Sequence, residues 1–231
     1  MSSAPKLLTI DTSTTTCSVA LTDGSRIIGE YLLDTDRTLS GQLLSAADCI
    51  LRDAGLAIHC VDGIGIALGP GSFTGLRVGV ATAKGLALAA CKPVVGFSSL
   101  AMLAFNLPWS VYPVCPMLDA RKNEVYTAVY DCKGFPSAIV EDCVVSPAAF
   151  LGTITETTIF VGSGAIRYRE MIESALGAKA IFAPLSCNQP RASAGAVLSH
   201  HAFEKGDTIP LDFLNPSYIR PSEAEIQKIK R

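Results

Sequence analysis

Gly69-Pro-Gly-Ser-Phe-Thr-Gly75 joins an apolar strand pattern, Val61 to Leu68, to an apolar helix pattern, Leu76 to Ala90. Strand, glycine-rich turn and helix make the repeating unit of an α/β fold. A glycine-rich loop at a helix N-terminus offers free N–H groups to an anion. Here the spacing is GxGxxxG, one residue off the dinucleotide fingerprint, and no Gly-Lys-Ser/Thr follows as in a Walker loop. On spacing alone the nucleotide signal is weak. A tight turn with Ser72 or Thr74 capping the helix explains the same residues.

The elements on either side extend this unit. Upstream, Leu7–Ile10 reads as a short strand ending at Asp11. Cys17–Leu21, the Asp23-Gly24 turn and Arg26–Leu33 complete an antiparallel three-strand start. Leu43, Ala47, Ile50, Leu51 and Ala54 recur at helical spacing, with Ser40 as cap and Gly55 as stop. The helix Leu76–Ala90 is apolar or small on nearly every side apart from Arg77, Thr82 and Lys84, which places it in a core or a subunit interface. A strand over Pro93–Gly96 and a short helix over Ser98–Phe105 follow.

Leu107-Pro-Trp-Ser110 punctuates the chain, and the pattern restarts. Strands are predicted over Val111–Leu118 (ending before Asp119), Glu124–Tyr130 and Ile139–Val145, with a turn at Lys133-Gly134. Pro147–Leu151 reads as helix and Thr158–Val161 as strand, before Gly162-Ser-Gly164. Arg167–Leu176 and Ala192–Glu204 read as helices. The tail from Asn215 to Glu225 is polar and broken by proline. Two lobes, residues 1–108 and 109–231, thus each open with antiparallel strands and an Asp after the first. They share no close sequence repeat, so the duplication is one of pattern.

The 231 residues are 49% hydrophobic and only 17% charged, with a net charge of −2. That excludes a disordered chain. It points either to a protein partner or to a compact, Ala-rich fold. Lys and Arg cluster only at Lys228, Lys230 and Arg231, so the chain lacks the footprint of a protein that grips nucleic acid alone. Val78–Phe97 is interrupted by Lys84, Lys92 and Pro93, which argues against a membrane span. The N-terminus MSSAPKLLTIDTS has no signal-peptide pattern. The 8 cysteines are scattered without a CxxC pair, as expected of buried reduced thiols in a cytoplasmic protein. His59, His200 and His201 have no ligand-like spacing, and no metal site is expected of them.

Three stretches could carry chemistry. Asp11-Thr-Ser13 follows the first strand, where a carboxylate and hydroxyls can hold a metal–phosphate complex. An Asx or ST turn explains them too. Asp119-Ala-Arg-Lys-Asn-Glu-Val-Tyr126 mirrors that position in the second lobe. Two strand-end carboxylates facing a cleft would suit an ATP-handling fold of the actin/sugar-kinase/Hsp70 type; alternatively, Asp119 and Arg121 pair and fix the turn. A two-metal nuclease would need more carboxylates. The third stretch is the glycine-rich loop itself.

Ile10-Asp-Thr-Ser13, Gly69 through Gly79 (GPGSFTGLRVG), Asp119 through Tyr126 and Pro216-Ser-Tyr-Ile-Arg-Pro-Ser-Glu-Ala-Glu225 resemble the bacterial TsaB (YeaZ) family, in order and over essentially the whole chain. The GPGSFTGLRVG run is the most specific of the four. The resemblance implies the two-lobed RNase H-like fold of the actin/Hsp70/sugar-kinase type, with mixed sheets flanked by helices. It implies a role in placing threonylcarbamoyl on N6 of the adenosine beside the anticodon of ANN-decoding tRNAs. In that family TsaB partners its catalytic paralogue TsaD, together with the ATPase TsaE; TsaC-type enzymes make the threonylcarbamoyl-AMP.

The resemblance also separates partner from enzyme. TsaD-type proteins carry Gly-Val-Asn-His-Leu-Glu-Gly-His, whose two His bind a metal. The matching stretch here is Gly96-Phe-Ser-Ser-Leu-Ala-Met-Leu103, with Ser99 and Leu103 at the His positions. Leu cannot ligate a metal and Ser is a poor ligand beside His. The expectation is a chain with no catalytic residues, no metal and no required cofactor. Asp11, Thr12, Ser13, Gly69, Gly71, Ser72 and Asp119 would then be a vestigial nucleotide site, open to weak ATP or ADP binding. Leu43, Leu44, Ala47, Leu76, Val80 and Lys84 are expected to face TsaD, or a second copy as a homodimer, with tRNA met only through the complex.

Two departures from the family pattern stand out. The usual Arg-Thr-His-Ser run reads Arg37-Thr-Leu-Ser40, and the usual Gly before Glu-Val-Tyr is Asn123, which tolerates φ > 0 better than most residues. Two other function classes compete. One is a stand-alone ATP-dependent small-molecule kinase on Asp11, Asp119 and the glycine loop. The other, a metallopeptidase, is disfavoured by the lack of an HExxH motif or carboxylate–His cluster.

Overall fold

The computed structural model describes residues 4–34 and 39–220, with side chains from Gly41 onward in the first helix. The Arg37–Ser40 run with its expected cap, and the tail beyond Arg220, lie outside the described residues and side chains.

The first sheet is built from β1 (Lys6–Asp11), β2 (Thr16–Asp23), β3 (Arg26–Asp34), β4 (Gly63–Gly69) and β5 (Val94–Ser98). Helices α1 (Leu39–Asp53), α2 (Phe73–Ala90) and α3 (Ser99–Ala104) connect and flank its strands. The second sheet holds β6 (Val114–Arg121), β7 (Glu124–Asp131), β8 (Ser137–Val145), β9 (Thr158–Val161) and β10 (Ala180–Phe182). It is accompanied by α4 (Pro147–Leu151), α5 (Ser163–Arg167) and α6 (Arg169–Leu176), and α7 (Ala192–Lys205) follows in the chain.

Strand order is β3-β2-β1-β4-β5 in one sheet and β10-β9-β6-β7-β8 in the other. Read from its far edge, the second order repeats the first. β1 is antiparallel to β2 and parallel to β4; β6 is antiparallel to β7 and parallel to β9. The duplication inferred from the strand–Asp pattern is therefore a duplication of topology. Both Asp residues end up inside their strands, Asp11 as the last residue of β1 and Asp119 within β6.

The residues of β1 after Lys6 are all buried because both faces of the sheet are covered. On one face Leu8, Ile10, Val19, Ile64 and Ile66 pack with Leu43, Ala47 and Leu51 of α1 and Val80, Ala83 and Ala87 of α2. On the other lies α7. Thr9 Oγ1 donates to Ser199 Oγ at 3.4 Å, and the Ala192 N–H donates to Ser18 Oγ at 2.7 Å.

Several expectations are corrected. The second lobe does not run unbroken to the end of the chain, because α7 packs on β1, β2, β4 and β5 and Leu214 joins the first core. The expected helix Arg167–Leu176 is two helices, with Tyr168 between them out of helical geometry. Four of the six expected partner residues point inward: Leu43 is 0% exposed, Ala47 2%, Leu76 1% and Val80 5%. They form the side of α1 and α2 that covers the sheet. Leu44, one residue round the helix, is 52% exposed, and Lys84 is half-buried.

Candidate functional site

A cleft of about 570 Å³ separates the lobes where β1, β4 and β6 end. Its first-lobe rim is Ser13 to Thr16 with Gly71 to Thr74, and its second-lobe rim includes Leu118 to Arg121, Tyr126 and Ser163. Asn188, Gln189 and Arg220 also line it.

Both strand-end carboxylates do the same local work. The Ser13 N–H donates to Asp11 Oδ1 at 3.0 Å, and the Arg121 N–H donates to Asp119 Oδ1 at 3.0 Å. Both are Asx turns, which the sequence reading offered for Asp11 but not for Asp119. The Arg121 side chain does not make the expected ion pair; Arg167 does, with Nη1 at 2.6 Å from Asp119 Oδ2.

Asp11 is fully buried and does not line the cleft. Burial pushes its pKa up to about 6, against the pull of its hydrogen bonding with Ser13 and Thr12. Among the described residues, Asp11 Oδ2 and Ser13 Oγ have no hydrogen-bond partner. A carboxylate whose ionisation is opposed by burial, sealed behind a loop, is poorly placed to hold a cation from the cleft.

The glycine-rich loop is filled by the protein's own backbone. The Ser72 N–H donates to Ser13 O at 2.7 Å, and Thr12 Oγ1 donates to Gly75 O at 2.8 Å. A Cβ on Gly71 would lie 2.2 Å from Ser13 O, and one on Gly75 would lie 2.1 Å from Thr12 O. These glycines let the β1–β2 loop rest directly on the start of α2. Ser72, not Thr74, is the cap, with its Oγ accepting from the Gly75 N–H at 3.3 Å.

Of the seven residues expected to handle a nucleotide, Ser13, Gly71, Ser72 and Asp119 line the cleft, and Asp11, Thr12 and Gly69 stand behind it. Sequence reasoning missed Arg167 and the Asn188–Gln189 pair, which no local motif marks. It also missed Arg220, although that residue sits in the Pro-Ser-Tyr-Ile-Arg run already singled out. The cleft offers hydroxyls, Arg121 and Arg220, and the carboxylates of Asp34 and Asp119, a polar lining of mixed charge.

Ser99 and Leu103 both lie on α3 and are 0% exposed. Leu103 packs with Leu100, Val114, Leu118 and Val161 in the second core. A hydroxyl and an aliphatic side chain facing a core do not fit a metal. Among the described residues, no group of three or more His, Cys, Asp or Glu is placed to hold one.

A second feature is the outer face of α1 and α2. Leu44 and Leu88 (65% exposed) stand there with exposed Ala81, Gly85 and Ala89. A Cβ added at Gly41 or Gly85 would meet nothing within 4 Å. Apolar side chains among small residues leave a surface on which another helix can approach closely. Among the described residues, no helix is long and apolar enough to cross a membrane.

Residues 33–228 match the family model of TsaD, tRNA N6-adenosine threonylcarbamoyltransferase. The chain is 33% identical to the tRNA threonylcarbamoyladenosine biosynthesis protein TsaB of Bacillus subtilis, over 97% of this chain and 98% of that one. It is similar to the structure of YeaZ from Pseudomonas aeruginosa, with TM-score 0.80, 29% identity, and 93% and 99% of the two chains covered. It also shares a fold, at 13% identity and TM-score 0.52, with component A of the Acidaminococcus fermentans (R)-2-hydroxyglutaryl-CoA dehydratase, covering 88% of this chain and 100% of that one. The architecture is the two-lobed RNase H-like fold of the actin/Hsp70/sugar-kinase type, with mixed sheets flanked by helices.

Proposed function

The chain belongs to the TsaB (YeaZ) family, and from that membership we propose that it is the non-catalytic partner and activator of a TsaD-type transferase in the biosynthesis of N6-threonylcarbamoyladenosine in tRNA. The modified base would be the adenosine beside the anticodon of ANN-decoding tRNAs. One observation supports the non-catalytic role above the others. The two positions at which the catalytic relatives carry metal-binding His are Ser99 and Leu103, both enclosed in the core. The sealed Asp11 and the salt-bridged Asp119 point the same way.

The outer face of α1 and α2, with Leu44, Ala81, Gly85 and Leu88, is the proposed docking surface for the TsaD-type protein. A second copy of this chain would cover the same face in isolation, giving a homodimer. TsaE would join the assembled pair, and tRNA would be met only through the complex, in keeping with a net charge of −2. The setting is the cytoplasm. The chain needs no cofactor of its own; weak ATP or ADP binding would be confined to the hydroxyl rim and Arg121 of the cleft.

The cleft between duplicated lobes also fits the second reading, an ATP-dependent small-molecule kinase. Reconstitution separates the two. TsaC-, TsaD- and TsaE-type proteins are combined with unmodified tRNA, threonine, bicarbonate and ATP, with and without this chain, and the modified nucleoside is measured by mass spectrometry. Product that appears only with the chain is the expected result. Equal product either way, with no binding to the TsaD-type protein, would sink the activator role. ATP turnover by the chain alone would favour the kinase.

A further inference from the structure

The segment Ser217–Arg220 touches both lobes within four residues. At its start the Ser217 N–H donates to Leu68 O at 2.7 Å, at the end of β4. Tyr218 stacks on Phe73 at the start of α2, with ring centroids 4.7 Å apart. Arg77 lies over the Phe73 ring at 3.9 Å and donates from Nε to the Tyr218 hydroxyl at 3.0 Å. Two residues later, Arg220 reaches the other lobe. Its Nη1 donates to Glu124 Oε2 at 2.7 Å and its Nη2 to Ala120 O at 3.1 Å.

Among the described residues, no hydrogen bond or ion pair joins Ser13–Thr16 or Ser72–Thr74 to Asp119–Arg121. Other ties between the layers lie away from these rims, except that Gln189 and Asp34 both line the cleft. Asp142 of β8 accepts from Ser98 at the end of β5, Phe135 packs on His201, and Gln189 Nε2 donates to Asp34 at 3.2 Å.

We propose that residues 217–220 are a clasp that sets the opening of the interlobe cleft, anchored on α2 by Tyr218 and on the β6–β7 hairpin by Arg220. The anchors suit a releasable closure. Tyr218 is exposed, and the side chains of Arg220 and Glu124 are 26% and 38% exposed. Salt therefore screens the second anchor while leaving the first nearly untouched. Arg77 also stands on the exposed side of α2, so the clasp is within reach of whatever covers that helix.

Residual dipolar couplings of backbone amides test this on the full chain. Couplings from β1–β5 and from β6–β10 are fitted separately, in the unaltered chain and in Arg220→Ala and Tyr218→Ala. The expected result is one common alignment tensor in the unaltered chain and two divergent tensors, with reduced amplitude in the second lobe, in either variant. High salt should reproduce the loss in the unaltered chain but add nothing to Arg220→Ala. A single shared tensor in both variants would overturn the clasp. Should Tyr218→Ala lose the dispersed amide shifts of a folded chain, Arg220→Ala decides alone, since its side chain lies at the surface.

Discussion

Arg167 holds the carboxylate of Asp119 at 2.6 Å, across 48 positions of sequence. The second lobe's strand-end carboxylate is thereby engaged by a cation of its own lobe, while its first-lobe counterpart, Asp11, is sealed from the cleft. The two strand-end carboxylates thus differ in surroundings, one paired at the cleft wall and one buried behind it.

Asp119→Asn is therefore expected to leave partner-dependent threonylcarbamoyladenosine yield unchanged in the reconstituted system. A kinase relying on that carboxylate would instead lose its ATP turnover. The two activities, read side by side on the same preparation, check the expectation.

Gly71→Ala and Gly75→Ala place a methyl group within 2.2 Å and 2.1 Å of backbone oxygens. Each is expected to destabilise the chain by about 3 kcal/mol, since backbone on both sides must move. Gly85→Ala, with open space around it, should stabilise α2 by roughly 0.5–1 kcal/mol. Urea unfolding followed by circular dichroism measures all three. A Gly71 variant as stable as the parent would mean that the loops separate readily and can open toward a phosphate.

Val80→Arg and Leu44→Arg should part company. Val80 is 5% exposed and sits in the first core, so a charge there costs about 4 kcal/mol or more and the fold is lost. Leu44 is 52% exposed, and Leu44→Arg should change stability by no more than about 0.5 kcal/mol. It should nevertheless abolish co-elution with a TsaD-type partner. Co-elution of folded Leu44→Arg would remove the α1–α2 face as the docking surface.

Asp11 makes stability depend on pH in a definite direction. Its pKa rises from 3.8 to about 6 on folding because burial penalises the charge. Between those values the folded chain binds more protons than the unfolded one, so stability falls as pH rises from about 4 to about 6. A shift of that size amounts to roughly 3 kcal/mol. Asp142, also raised by burial, adds to the same slope. Unfolding free energies across that range should be flatter in Asp11→Asn than in the parent. Parallel curves would show that Asp11 stays ionised in the fold.

Much of the architecture was legible in the residues. The strand–Asp–hairpin pattern at Leu7 and its return before Asp119 disclosed the duplicated lobes, because alternation and turn residues are local signals. The Ser72 cap was one of two readings. β10, three residues long, carries too few positions for a pattern, and the break at Tyr168 has no glycine or proline to mark it.

The local order of strands, turns and helices was determined by the sequence alone, since it depends on neighbours a few positions apart. Which side of α2 faces the sheet was decided only in three dimensions, because a helix that is apolar nearly all round does not declare its inner face. On α1 the stripe Leu43, Ala47 and Leu51, read at helical spacing, is the one that packs on the sheet. The return of α7 to the first sheet, the Arg167–Asp119 pair and the reach of Arg220 to Glu124 span 48 to about 190 residues. Such contacts form only after the chain has folded back on itself, and no local periodicity encodes them.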